Sequence, residues 1–183
     1  MSRDLVERAM GGDREAFAQL QRRSIDRLYA TARLILGDSD LAQDATQEAF
    51  IAAWRGLKGL RDPERFEAWL RRLIVSACYR EARKAKRRAR AEGLVRPIDT
   101  ETADPAYVTA DRDELDRALE ALDPEGRALI VLHYYLGLPM HETSIALGLP
   151  VGTVKSRLYR TKQRMRATLE ADARTPLPEG GAT

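Results

Sequence analysis

One cysteine and two histidines among 183 residues leave little material for a metal centre, and no intrachain disulfide can form. No apolar run approaches the ~18 residues that a membrane span needs. Residues 1–12 are too charged to hold the apolar core of a signal peptide, which points to a cytoplasmic chain. Aromatics make up only 6%, against a composition dominated by Ala, Leu and Arg, and this disfavours an all-β sandwich and favours helices. Neither a Gly-x-x-x-x-Gly-Lys phosphate loop nor a Gly-x-Gly-x-x-Gly dinucleotide loop occurs. His141-Glu142 opens like a zinc-protease motif, but Ile145 stands where the second histidine is needed. No enzyme, no metal and no cofactor are expected. Cys78 lies on an Arg-rich segment that could lower its pKa, although a buried structural thiol is the simpler reading.

What is present is charge, and it is segregated. The net charge is only +3, yet residues 71–90 carry nine basic side chains against Glu81 alone. Residues 99–125 carry ten acidic side chains against Arg112 and Arg117, and residues 152–166 carry six basic side chains and no acid. Two basic blocks separated by an acidic one suggest two anion-binding surfaces.

Helix punctuation divides the chain. Ser2 can cap a short helix ending at Gly11. Asp13 can cap a second that stops at Gly37, and Asp38 or Ser39 a third running to about Gly56. Asp62-Pro63 and Asp123-Pro124 repeat one start device, an acidic N-cap followed by proline at the first helical position. The first leads a helix through Trp69, Leu73 and Cys78 into the basic block; the second should stop near Gly137. Residues 91–111 hold Gly93, Pro97, Pro105 and a cluster of acids without a sustained apolar period, so they are expected to form a flexible linker. The expected architecture is all-α: a domain over 1–90, the linker, a second domain over 112–172, and a disordered tail over 173–183.

The second domain carries a helix-turn-helix. A short helix over about Met140 to Leu147 is followed by Gly148-Leu149-Pro150 and a second helix from about Val151. On that helix Val154, Leu158, Thr161, Met165 and Leu169 form an apolar stripe, with Ser156, Arg160 and Gln163 opposite and Lys155, Arg157, Tyr159 and Arg164 flanking. Such a face can enter a major groove, where Arg bonds guanine and Gln bonds adenine. The run from Gly152-Thr153-Val154-Lys155 to Ser156-Arg157-Leu158-Tyr159-Arg160 resembles the recognition-helix signature of bacterial sigma factors of the extracytoplasmic-function group. Leu122-Asp123-Pro124-Glu125-Gly126-Arg127 is similar to the opening of that family's C-terminal domain.

In the first domain, Asp44-x-x-Gln47-Glu48-x-Phe50-x-x-x-Trp54 resembles the family's helix that grips the clamp coiled coil of RNA polymerase. Independently of the name, at about 100° per residue Asp44, Gln47, Glu48, Ile51 and Arg55 share one side. Leu41, Ala42, Ala45, Ala49, Ala52 and Ala53 share the other, with Phe50 and Trp54 flanking. Small alanines permit close packing inside, and the outer face offers carboxylates to a basic partner. Beyond it, Arg72, Ser76, Tyr79, Arg80, Arg83 and Lys84 can project together, with Phe66 and Trp69 beside them, although core packing is the simpler reading for those two rings. Aromatics next to cations suit an unstacked single strand.

The resemblance implies a sigma factor that binds the polymerase core through the β′ clamp coiled coil and the β flap. It places −10 recognition and melting on Arg61, Phe66, Arg72, Ser76, Tyr79, Arg80, Arg83 and Lys84. It places −35 recognition on Thr153, Lys155, Ser156, Arg157, Tyr159, Arg160 and Gln163. The family often has Asn where Ser76 stands and Asp where Arg80 stands, so base identities do not carry over. An anti-sigma factor is a further partner that the family often has. Two other readings stand beside this one: a dimeric helix-turn-helix regulator that never binds polymerase core, and a helical interaction or RNA-binding module.

Overall fold

The computed structural model describes residues 3–91 and 110–172. Among the described residues every regular element is helical. The first group comprises α1 (Arg3–Met10), α2 (Arg14–Leu36), α3 (Ser39–Gly56) and α4 (Phe66–Ala91); the second comprises α5 (Ala110–Glu120), α6 (Pro124–Ile130), α7 (Met140–Leu147) and α8 (Val151–Asp172). The expected tail, the capping role of Ser2 and nearly all of the expected linker lie outside the described residues. Residues 110 and 111, assigned to the linker from sequence, already belong to α5.

The caps act as the sequence implies. The Asp13 carboxylate accepts the Ala16 amide at 3.0 Å and the Arg8 guanidinium at 2.7 Å; both bonds hold its carboxyl below the ordinary range. Asp38 accepts from the Leu41 amide at 2.8 Å and Asp123 from the Gly126 amide at 2.7 Å. Asp62 caps a 3-10 turn (Pro63–Arg65) that feeds α4, which therefore begins at Phe66. The helix begun at Asp123-Pro124 loosens into a π turn over Val131–Tyr135 before Gly137 reverses the chain at positive φ.

Ala42, Ala45, Ala49 and Ala53 are fully buried, and their small side chains let α3 lie close against α2 and α4. Phe50 is buried with them rather than flanking, and Trp54 stacks obliquely on Phe17 with ring centroids 5.0 Å apart. The two groups also pack on each other. α4 meets α6 and α7, and α2 meets α6. The core is continuous across the junction, so Ala128, Val131, Leu132, Leu138 and Ala146 share it with the first group. Arg71 on α4 reaches Glu142 on α7 at 3.4 Å. Gly37 ends α2 at φ 73°, and the Arg127 guanidinium fills the space that a Cβ there would occupy. Arg127 is itself buried with Nε unbonded, and that desolvation pushes its pKa down.

Leu132 is wholly buried in this shared core. Leu132→Ala is expected to cost about 2–5 kcal/mol of stability, read as a lowered thermal midpoint. The loss should register in both helical groups together, because the cavity opens onto both.

Candidate functional site

Three exposed surfaces carry the residues singled out from sequence. The first is the outer face of α3. Asp44 and Gln47 are exposed and Ile51 is 42% exposed, a large apolar side chain standing in water between polar ones. Glu48 differs from its neighbours. Its Oε2 accepts from Arg80 Nε at 2.9 Å, and its Oε1 lies 3.6 Å from Lys84 Nζ. Partial burial opposes ionisation, but the bond and charge of Arg80 and the charge of Lys84 outweigh it, and the carboxyl titrates below its ordinary value.

The second surface is the C-terminal half of α4. Arg80, Arg83, Lys84, Lys86, Arg87 and Arg90 line one cationic groove. Arg80 Nη1 donates to Ser76 Oγ at 3.1 Å, and Arg83 Nε donates to the Tyr79 carbonyl at 3.1 Å. Lys84 Nζ donates to the buried Glu81 carboxylate at 2.7 Å. Arg61, Arg72 and Ser76 are exposed. Two aromatics of the −10 set are covered. Phe66 is 2% exposed and belongs to the core, so its ring cannot stack on a base without unpacking α4. Tyr79 is largely covered at the junction. Burial pushes its phenol pKa up, with the charge of Glu125 next in effect. The charges of Arg157 and Asp123 act on it as well, so the second helical group lies close by. Cys78 is buried, and burial pushes its thiol up to about 12, which is the reverse of activation by neighbouring arginines.

The third surface is the helix-turn-helix. Gly148 ends α7 at φ 67°, the Ser144 hydroxyl donates to the Leu149 carbonyl at 2.6 Å, and the Leu149 amide donates to the Ser144 carbonyl at 3.1 Å. These bonds set the angle at which α8 leaves the turn. Val154 and Leu158 lock α8 against Leu129. Lys155, Ser156, Tyr159, Arg160 and Gln163 remain exposed, and Thr153 is half-buried. Arg157 is not free: its Nη1 donates to Glu125 at 2.5 Å. Behind this face runs an apolar groove lined by Leu115, Ile130, Tyr134, Tyr135, Met165 and Leu169, with Tyr159 and Gln163 on its wall. Lys162 sits over the Tyr134 ring, 5.6 Å from its centroid. The groove joins residues distant in sequence, from Leu115 to Leu169, so it was not legible beforehand.

Residues 20–88 match the model of sigma-70 region 2, and residues 112–165 match that of sigma-70 region 4. The chain is 36% identical over 163 residues to the extracytoplasmic-function sigma factor SigM of Mycobacterium tuberculosis, covering 88% of this chain and 81% of SigM. The chain belongs to the extracytoplasmic-function sigma factors. SigW of Bacillus subtilis is 28% identical, covering 92% of this chain and 97% of SigW. Among solved structures, the fold is similar to the sigma factor RpoE of Bartonella quintana in complex with the anti-sigma factor NepR. That likeness has a TM-score of 0.72 at 26% identity, covering 85% of this chain and 98% of that one. It is also similar to CnrH in complex with the cytosolic domain of CnrY, with a TM-score of 0.66 at 30% identity, covering 93% of this chain and 97% of that one. As a sigma factor the chain binds RNA polymerase and directs promoter-specific initiation, a function that the reading as a dimeric regulator lacks. No helix among the described residues is long and apolar enough to cross a membrane.

Proposed function

We propose that the two matched regions divide promoter recognition between them, and that the chain makes and breaks no bond itself. The first group binds the β′ clamp coiled coil through Asp44, Gln47, Glu48 and Ile51. It takes the −10 single strand on Arg61, Arg72, Ser76, Arg80, Arg83 and Lys84, and on Tyr79 once that ring is uncovered. The second group reads −35 duplex DNA with Ser156, Arg160 and Gln163, while Thr153, Lys155, Arg157 and Tyr159 hold backbone and rim. The observation that carries this reading is the placement of an exposed carboxylate-and-isoleucine row directly beside a six-cation groove. The β flap is assigned to the apolar groove of the second group, whose Tyr134 and Tyr135 stand exposed. The RpoE and CnrH complexes support an anti-sigma factor as a further partner of this chain, and such a complex fits a cytoplasmic location. Run-off transcription from a promoter library with added polymerase core tests the whole reading. Start sites sharing paired −35 and −10 sequences are expected, and their absence would overturn it.

The packed junction adds a requirement. Elements about 25 base pairs apart are separated by about 85 Å along B-DNA at ~3.4 Å per pair. Here α4, which carries the −10 set, packs on α6 and α7 of the −35 domain. One closed molecule cannot straddle both elements, so the groups must part on the promoter. Joining Arg71→Cys to Glu142→Cys with a short cleavable bis-maleimide should lower promoter-directed transcription more than tenfold, and cleaving the linker should restore it. Cys78 is spared because it is buried. Full activity of the cross-linked chain would show that parting is not needed.

A further inference from the structure

Glu48 lies on two surfaces at once. By its place on α3 it belongs to the polymerase-facing row, and by its contacts it belongs to the cationic groove of α4. We propose that Glu48 couples the two: in the free chain it holds Arg80 and crowds Lys84, and a basic polymerase surface that takes Glu48 frees these cations for the phosphates of the captured strand. The proposal rests on the site assignments above.

The chemistry follows from the geometry. Arg80 Nε is spent on Glu48 at 2.9 Å. A phosphate brought to Arg80 or Lys84 would also stand within about 6 Å of the Glu48 carboxylate, where like charges disfavour each other. The two cations are not equivalent. Lys84 keeps a second carboxylate, that of the buried Glu81, whatever happens to Glu48. Arg80 has no other acidic partner among the described residues, only the Ser76 hydroxyl. Arg80 is therefore the side chain whose availability changes most. These groups are about two-fifths exposed, so each pair shifts affinity by a small factor rather than by orders of magnitude. Binding linkage makes the effect reciprocal, so the strand must raise polymerase affinity by the same factor by which polymerase raises strand affinity.

The test uses the full chain, a fluorescent single-stranded −10 oligonucleotide and purified polymerase core. Without core, Glu48→Gln should bind the oligonucleotide three- to tenfold more tightly than wild type. Asp40→Asn, the same charge change on an exposed α3 residue without a partner on α4, should change it less than twofold. The gain should vanish when Glu48→Gln is combined with Arg80→Gln. Saturating oligonucleotide should raise wild-type affinity for core several-fold, and that increment should be lost in Glu48→Gln. Equal gains in Glu48→Gln and Asp40→Asn, a gain that survives Arg80→Gln, or an increment that persists in Glu48→Gln would each overturn the coupling while leaving the site assignments standing. Oligonucleotide binding unaffected by Arg80→Gln with Lys84→Gln would overturn the −10 assignment and the coupling together.

Discussion

Asp44→Arg combined with Glu48→Arg is expected to lower affinity for polymerase core at least a hundredfold, about 3 kcal/mol, while the circular dichroism spectrum stays helical. The size comes from sign: two carboxylates offered to a basic partner become two guanidiniums facing it, and like-charge juxtaposition costs several kcal/mol. Helicity should survive because neither side chain is in the core. The two positions differ in one respect. Reversing Glu48 also sets it against Arg80 and Lys84, a local cost of up to about 1 kcal/mol for half-exposed pairs. Asp44→Arg alone, at an exposed position, is the cleaner reporter, and a loss of at least tenfold is expected from it. Wild-type affinity in both variants would move the clamp contact off α3.

Arg160→Ala is expected to cost about 1–3 kcal/mol in binding the best −35 sequence and to relax preference at one or two base pairs. Arg160 is exposed and opposite the Val154–Leu158 seam, and no hydrogen bond or ion pair holds its guanidinium among the described residues. Lys155→Ala should weaken all sequences alike and reduce the salt slope by about one unit. Arg157→Ala should do less than either, since Glu125 already holds that side chain. Competition binding against a library of −35 variants at two salt concentrations separates these effects. If Arg160→Ala leaves the rank order of sites unchanged and alters only the salt slope, Arg160 is a phosphate contact, as arginines often are.

The individual helices were legible because their signals are local. Asp13, Asp38 and Asp123 each bond an amide three residues on, and Gly37 and Gly148 end helices at positive φ. These devices depend on a few neighbouring residues and read the same in any tertiary setting. The inward stripe of α8 and the alanine seam of α3 were legible for a related reason, since a 3.6-residue period reports which face is buried. Period does not report on what a flanking residue meets. Phe66 opens the buried stripe of α4 that runs on through Leu70, Ile74, Ala77 and Glu81, whereas Tyr79 lies beside it. Phe66 is in the core and Tyr79 is half-buried against it. Cys78 follows the simpler reading, a buried structural thiol: burial, rather than the arginines that neighbour it in sequence, governs it.

The sequence by itself determined an all-helical chain, the positions of its caps, the helix-turn-helix, and the segregation of charge into two basic blocks around an acidic stretch. These are set by interactions within about four residues or by composition alone. Only the tertiary structure decided that the two helical groups share a core through Val131, Leu132 and Leu138, that Arg127 is buried under the end of α2, and that Arg71 meets Glu142. It alone brought Glu48 to Arg80, 32 residues away, and so joined two surfaces that the sequence shows only apart. Such pairings depend on how helix faces distant in sequence dock on one another, and no local spacing encodes them.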